Sequence, residues 1–162
     1  MIASLTLQIA ADVVEIEAAS VTDPAAYDHV RGQISALVAA LGIDFIKWDH
    51  NRDLVDSVHD GRPGGHDQML AVYRLIADLK RTHPGLEIES CSSGGARTDL
   101  GILAVTDRVW ASDSNDPVER QDIQLWTGLL LPPELVGAHV GPAESHSSGR
   151  TTDLSYRMAT SL

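Results

Sequence analysis

The feature that most constrains the fold of this chain is an order of elements that keeps returning. An apolar, β-prone stretch runs into a polar loop, and a helical pattern follows. "IDFIKW" leads into the glycine-rich loop "NRDLVDSVHDGRPGG". From His66 to about Thr82, Met69, Tyr73, Ile76 and Leu79 then recur at helical spacing until Pro84 and Gly85 end the pattern. "LEIES" leads into "CSSGGAR" and a helical turn at "DLGIL"; "DRVWAS" leads into "DSNDP" and a helix through "VERQDIQLWTGLLL" up to Pro132. A last strand is expected near "ELVGAHV", followed by the loop "GPAESHSSGR" and a C-terminal helix. Ahead of all these, Asp23 and Pro24 form a helix start, with Val30, Ile34, Leu37, Val38 and Leu41 as the stripe and Gly42 as the stop.

Strand, loop, helix in repetition predicts an α/β protein with a parallel sheet. In such folds the loops after the strands' carboxyl ends gather on one face, where ligands bind. "KWDHNRD", "CSSGGAR", "SDSNDPVER" and "GPAESHSSGR" all fall at those places, so one shared site is expected.

Composition narrows what such a site serves. The 162 residues suit one domain, and a net charge of −11 argues against nucleic acid or an anionic membrane as partner. A neutral substrate is the natural expectation. The single cysteine, Cys91, allows no internal disulfide and fits a reducing cytoplasm. No signal-peptide pattern opens the chain and no stretch reaches the length of a membrane span, so a soluble, cytoplasmic protein is expected.

"FIKWDHNRD" asks the sharpest chemical question, because an apolar strand gains nothing from burying Lys47 and stopping on Asp49. Asp49 and Asp113 each end an expected strand. Two carboxylates facing one cleft can hydrolyse a glycoside, one attacking the anomeric carbon while the other protonates the leaving oxygen. Lys47, two residues before Asp49, shares its face and could hold it ionised. The alternative is that both are ordinary solvated loop acids. "CSSGG" could carry a nucleophilic cysteine or an anion cradle, yet no GxGxxG or Walker pattern is present, and a small buried thiol is the simpler reading. His50, His59, His66, His139 and His146 show no metal-pair spacing, so a metal-dependent hydrolase stands last among the readings. Trp126 falls in a helical apolar stripe and is expected in the core, whereas Trp48 and Trp110 end strands and could floor a sugar site.

Taken together, "KWDHNRD", "CSSGGARTDLGIL", "DRVWASDSNDPVERQ" and "LPPELVGAHVGPAESHSSGR" resemble the catalytic barrel of bacterial α-galactosidases of glycoside hydrolase family 36. The resemblance runs from about Val21 to the last residue. It implies a partial (β/α)8 TIM-type barrel, about strands four to eight, over residues 21–162, after a diverged N-terminal strand segment at 1–20. It implies Asp49 as nucleophile and Asp113 as acid/base of a retaining mechanism that needs no metal or organic cofactor. Lys47 and Asn51 match positions contacting galactose hydroxyls, Cys91 and Gly94 match the pocket wall, and Arg97 and Asp116 match positions near the site. The implied substrate is an α-galactoside oligosaccharide. About where the family carries a pocket arginine, this chain has apolar and acidic residues around Val14.

A complete barrel of this type takes about 250 residues, so the chain is expected to hold only part of one. Weak or no activity as a monomer follows, because an open half-barrel leaves edges and apolar faces uncovered. The alternative is a non-catalytic remnant, or a subunit that works only with a partner chain; a homo-oligomer is possible in either case.

Overall fold

The structure, a computed structural model, describes residues 4–6, 21–51, 58–59 and 62–161. The elements in order are β1 (Ser4–Thr6), α1 (Pro24–Leu41), β2 (Phe45–Trp48), β3 (Val58–His59), β4 (Arg62–Pro63), α2 (Gly65–Thr82), β5 (Glu87–Ser90), α3 (Leu100–Leu103), β6 (Arg108–Val109), α4 (Pro117–Thr127), a 3-10 turn (Pro133–Leu135) and α5 (Leu154–Ala159). Four strands make one parallel sheet in the order β1, β2, β5, β6. Helices lie between successive strands, as parallel pairing requires.

The helix starts expected from sequence are built as the residue types demand. The Asp23 carboxylate accepts the N–H groups of Ala25 and Ala26 at 2.8 and 2.9 Å, with Pro24 at the first helical position. Gly42 ends α1 at φ 60°, a conformation that glycine adopts at no steric cost. The core joins α1 and α2 to one side of the sheet, where Ile34, Val38, Leu75, Ile76 and Leu79 bury Ile46, Ile88 and Val109. Asp107 ties α2 to β5, accepting from Lys80 Nζ at 2.7 Å and from the Ile88 N–H at 2.8 Å.

Several expectations are corrected. The stretch read as a loop between β2 and α2 contains a short antiparallel ribbon, β3 with β4; residues 52–57 and 60–61 lie outside the described residues. α4 stops at Thr127, short of Pro132, because Gly128 and a turn intervene. Trp126 is 65% exposed beside exposed Leu125, Leu129 and Leu130, so it is not core. The strand expected at "ELVGAHV" reduces to a parallel bridge between Val136 and Val109, with the Gly137 N–H bonded to the Val109 carbonyl at 2.8 Å. Pro132 and Pro133 explain this: neither has an N–H to give a ladder, and Pro133 instead opens the 3-10 turn. Of the N-terminal segment at 1–20, only Ser4–Thr6 is described, paired in parallel with β2. Val14 lies outside the described residues.

Candidate active site

Strand pleating and register assemble the site. Lys47 stands opposite Glu89, and Glu89 opposite Arg108, so their side chains share one face of the sheet. Two residues further along each strand come Asp49, Cys91 and Trp110. The intervening residues point the other way, toward the helices. Trp48 is one of them: its ring packs against the apolar core, away from Lys47 and Asp49, so it does not floor this site.

Asp49 and Asp113 both meet Cys91. The thiol Sγ lies 3.9 Å from Asp113 Oδ1. Burial first, and then the adjacent Asp49 carboxylate, push the thiol's pKa up to about 12. Cys91 is therefore a protonated spacer between two acids and no nucleophile. Asn51 donates to Asp49 Oδ2 at 2.9 Å, while Asp49 Oδ1 is buried and has no hydrogen-bond partner among the described residues. The same Asn51 accepts the Ser93 N–H at 2.9 Å, which docks the "CSSGGAR" loop on the end of β2.

Gly94 is required at its position. Its φ is 77°, and a Cβ there would lie 2.9 Å from the Ser112 Cα and 3.0 Å from the Asp113 N. The loop after β5 thus crosses the backbone that carries Asp113 at a distance only glycine allows. Arg97 works from behind that loop: one guanidinium nitrogen donates to the carbonyls of Trp48 and Cys91 at 2.8 and 2.7 Å, and Nε to Ser90 Oγ at 3.2 Å. It is a buried staple joining the ends of β2 and β5, not a wall of the site.

Asp116 is likewise structural in its contacts. It is 0% exposed, caps α4 through the Val118 N–H at 2.8 Å, and receives Ser148 and the Arg150 guanidinium at 2.5 Å. The Ser148 hydrogen bond leads the causes that hold its pKa at about 2. It fastens the loop "GPAESHSSGR" beside "SDSNDP".

Lys47 departs from expectation. Among the described residues its ion pair is with Glu89, Nζ to Oε1 at 3.6 Å, and not with Asp49, because the register sets Glu89 opposite it. Its ammonium also lies 4.4 Å from the Trp110 ring centroid. Trp110 is only 1% exposed and so offers no open face to a sugar. Its ring stacks on His139 at 3.9 Å and 16°, the Arg120 guanidinium lies 3.9 Å from its centroid, and its N–H donates to Asp113 Oδ1 at 3.0 Å. Glu89, Arg120 and the role of His139 were missed by sequence reasoning. A signal existed for Glu89: in "LEIESC" it precedes Cys91 by two residues, as Lys47 precedes Asp49.

What the arrangement offers is two carboxylates beyond the ends of β2 and β6, the strands on either side of β5, one held by an amide and the other by an indole, with the neutral thiol that follows β5 between them. Comparison with known proteins finds clear relatives. A family model described as Melibiase matches residues 14–162. An α-galactosidase of Escherichia coli is 40% identical over 139 residues, covering 86% of this chain and 20% of that protein. The crystal structure of the GH36 α-galactosidase AgaA of Geobacillus stearothermophilus superimposes with a TM-score of 0.79 at 32% identity, over 88% of this chain and 21% of that one. A variant of that enzyme solved with raffinose gives a TM-score of 0.79 at 31% identity, again over 88% of this chain and 21% of that chain. The chain spans about a fifth of the length of the relatives it matches.

Proposed function

The chain belongs to the Melibiase family, and from that membership we propose that it carries the catalytic carboxylates of a retaining α-galactosidase. Asp49 is the nucleophile. Its carboxylate attacks the anomeric carbon of a terminal α-galactosyl unit, while Asn51 holds Oδ2 in place. Asp113 gives its proton to the leaving glycosidic oxygen, then takes one from the water that releases the sugar from Asp49. This chemistry needs no cofactor. The Trp110 N–H aims the Asp113 carboxyl, Lys47 and Asn51 meet the sugar hydroxyls, and the buried Cys91 and Gly94 form the pocket wall behind them. The substrate is an α-galactoside oligosaccharide, as the raffinose bound in one relative supports. The described parallel strands belong to a (β/α)8 barrel, about strands four to eight, in a cytoplasmic protein.

The observation that carries this reading is the Cys91 side chain, which touches the carboxylates of both strand ends at once. A second reading is favoured by the exposed Leu125, Trp126, Leu129 and Leu130 around the end of α4. Such a patch suits a protein that completes its site only against another chain, a second copy included.

Release of nitrophenol from a para-nitrophenyl α-galactoside by the 162-residue chain tests both. Slow turnover is expected, far below that of a whole barrel, since positioning of substrate is incomplete. Asp49→Asn should remove about 10³-fold or more of whatever turnover exists. Equal turnover in the mutant would overturn the assignment of Asp49. A folded sample without turnover would favour the partner-requiring reading.

A further inference from the structure

Glu89 brings a buried carboxylate to the face of the sheet that carries Lys47, Asp49 and Cys91. Its side chain is 2% exposed, with Oε1 3.6 Å from Lys47 Nζ and 3.3 Å from His139 Nε2. Room for it exists because residue 137 is glycine: a Cβ there would collide with Glu89 Oε2. Its two cationic or imidazole neighbours both border one ring. His139 stacks on Trp110 at 3.9 Å, and the Lys47 ammonium lies 4.4 Å from the same ring centroid. Trp110 in turn donates its N–H to Asp113 Oδ1 at 3.0 Å. A carboxylate buried this deeply destabilises a fold unless its partners compensate, and Oε1 meets Lys47 and His139 at ion-pair distances without a hydrogen bond among the described residues, so charge is what ties these groups together.

We propose that Glu89 is a positioning residue of the site, holding Lys47 and His139 against Trp110 so that the indole N–H stays aimed at Asp113. Asp113 thereby receives its orientation from a group three contacts away. The catalytic meaning of this rests on reading Asp113 as the acid/base; the geometry does not.

The test therefore avoids turnover. In the full 162-residue chain labelled with ¹⁵N, the three indole N–H signals are followed by NMR, Trp110 being identified by its loss in Trp110→Phe. Glu89→Gln keeps the side chain's volume and removes its charge. It should move the Trp110 indole shift and speed its hydrogen exchange about tenfold, the weight of one hydrogen bond. The Trp48 and Trp126 indoles serve as internal controls, and a merely structural role for Glu89 would alter all three together. Should Glu89→Gln fail to fold, His139→Gln removes the stacked ring from a partly exposed position and should give the same selective effect. An unchanged Trp110 signal in whichever variant folds overturns the proposal. A failed nitrophenyl assay beside a selective indole effect would favour the partner-requiring reading and leave the positioning role standing.

Discussion

The two faces of the parallel sheet share one backbone and do opposite work. On the helix side, Ile46, Ile88 and Val109 are all but sealed from water by α1 and α2. Each contributes about 1.5–3 kcal/mol through its buried area. On the other side the same strands carry Lys47, Glu89, Arg108 and Trp110, with Asp49 and Cys91 at the ends. Burial of Lys47 and Glu89 works against folding and is offset by their pairing, whereas Arg108 meets Glu87 at 2.5 Å nearer the solvent. The difference teaches that stability and chemistry are separated by the two-residue repeat of a strand. A change of a single position in register would exchange them.

The largest expected effect tests the helix side. Ile88→Ala should cost about 2–5 kcal/mol, because α2 cannot collapse fully into the space left under β5. Urea unfolding monitored by circular dichroism measures it. A loss below about 1 kcal/mol would mean that the apolar face is not what holds the sheet, and the contrast between faces would fail.

Much of the helix side was legible in the sequence, and the charged side only at its tips. Periodicity located α1 and α2, and Asp23 with Pro24 and Gly42 bounded α1, since these signals are local. The strand-end loops were also found, and with them the meeting of Asp49, Asn51, Cys91, Gly94 and Asp113. What the sequence withheld was cross-strand identity. Lys47 was assigned to Asp49, its neighbour in the chain, whereas register gives it Glu89, 42 residues away (89 − 47). Trp110 was read as open to sugar because nothing local shows that His139 and Arg120 would cover it. Arg97 and Asp116 were placed near the site by the family resemblance alone. Both are polar and next to the site, yet their partners are backbone carbonyls and a distant loop. Trp126 failed differently: its apolar stripe is real, but among the described residues no core lies against it.

A middle-sized effect concerns the loop that borders the charged side. Asp116 has its folded pKa held at about 2, below the ordinary carboxylate value of 3.8, first by Ser148. Its sign follows from that depression. The stabilisation is fully present above the unfolded value and is lost as pH falls from about 4 through 2. Asp78, Asp99 and Asp153 are lowered as well, by hydrogen bonds first from Tyr27, Tyr73 and Ser155, so the whole chain should lose stability over that range. Asp116→Asn isolates one share, because asparagine still caps α4 but carries no charge for Arg150. Melting temperature against pH should fall less steeply below pH 4 in Asp116→Asn than in the parent. Parallel curves would show that Arg150 and Ser148 do not hold the loop through that charge.

The smallest expected effect is the one that most sharpens the comparison. Lys47→Met alone leaves the Glu89 carboxylate buried with one cationic partner fewer and should be clearly destabilising. Lys47→Met combined with Glu89→Gln removes both charges while keeping similar volumes. A buried ion pair often adds nothing over neutral groups of the same shape, so the double variant should fall within about 1 kcal/mol of the parent. Urea midpoints of the parent, both single variants and the double variant give the coupling directly. If the double variant loses as much as Ile88→Ala, the charged face stabilises the fold as the apolar face does, and the separation of roles collapses. If it folds like the parent but no longer aims the Trp110 N–H, then the charges on that face are present for the site and not for the sheet.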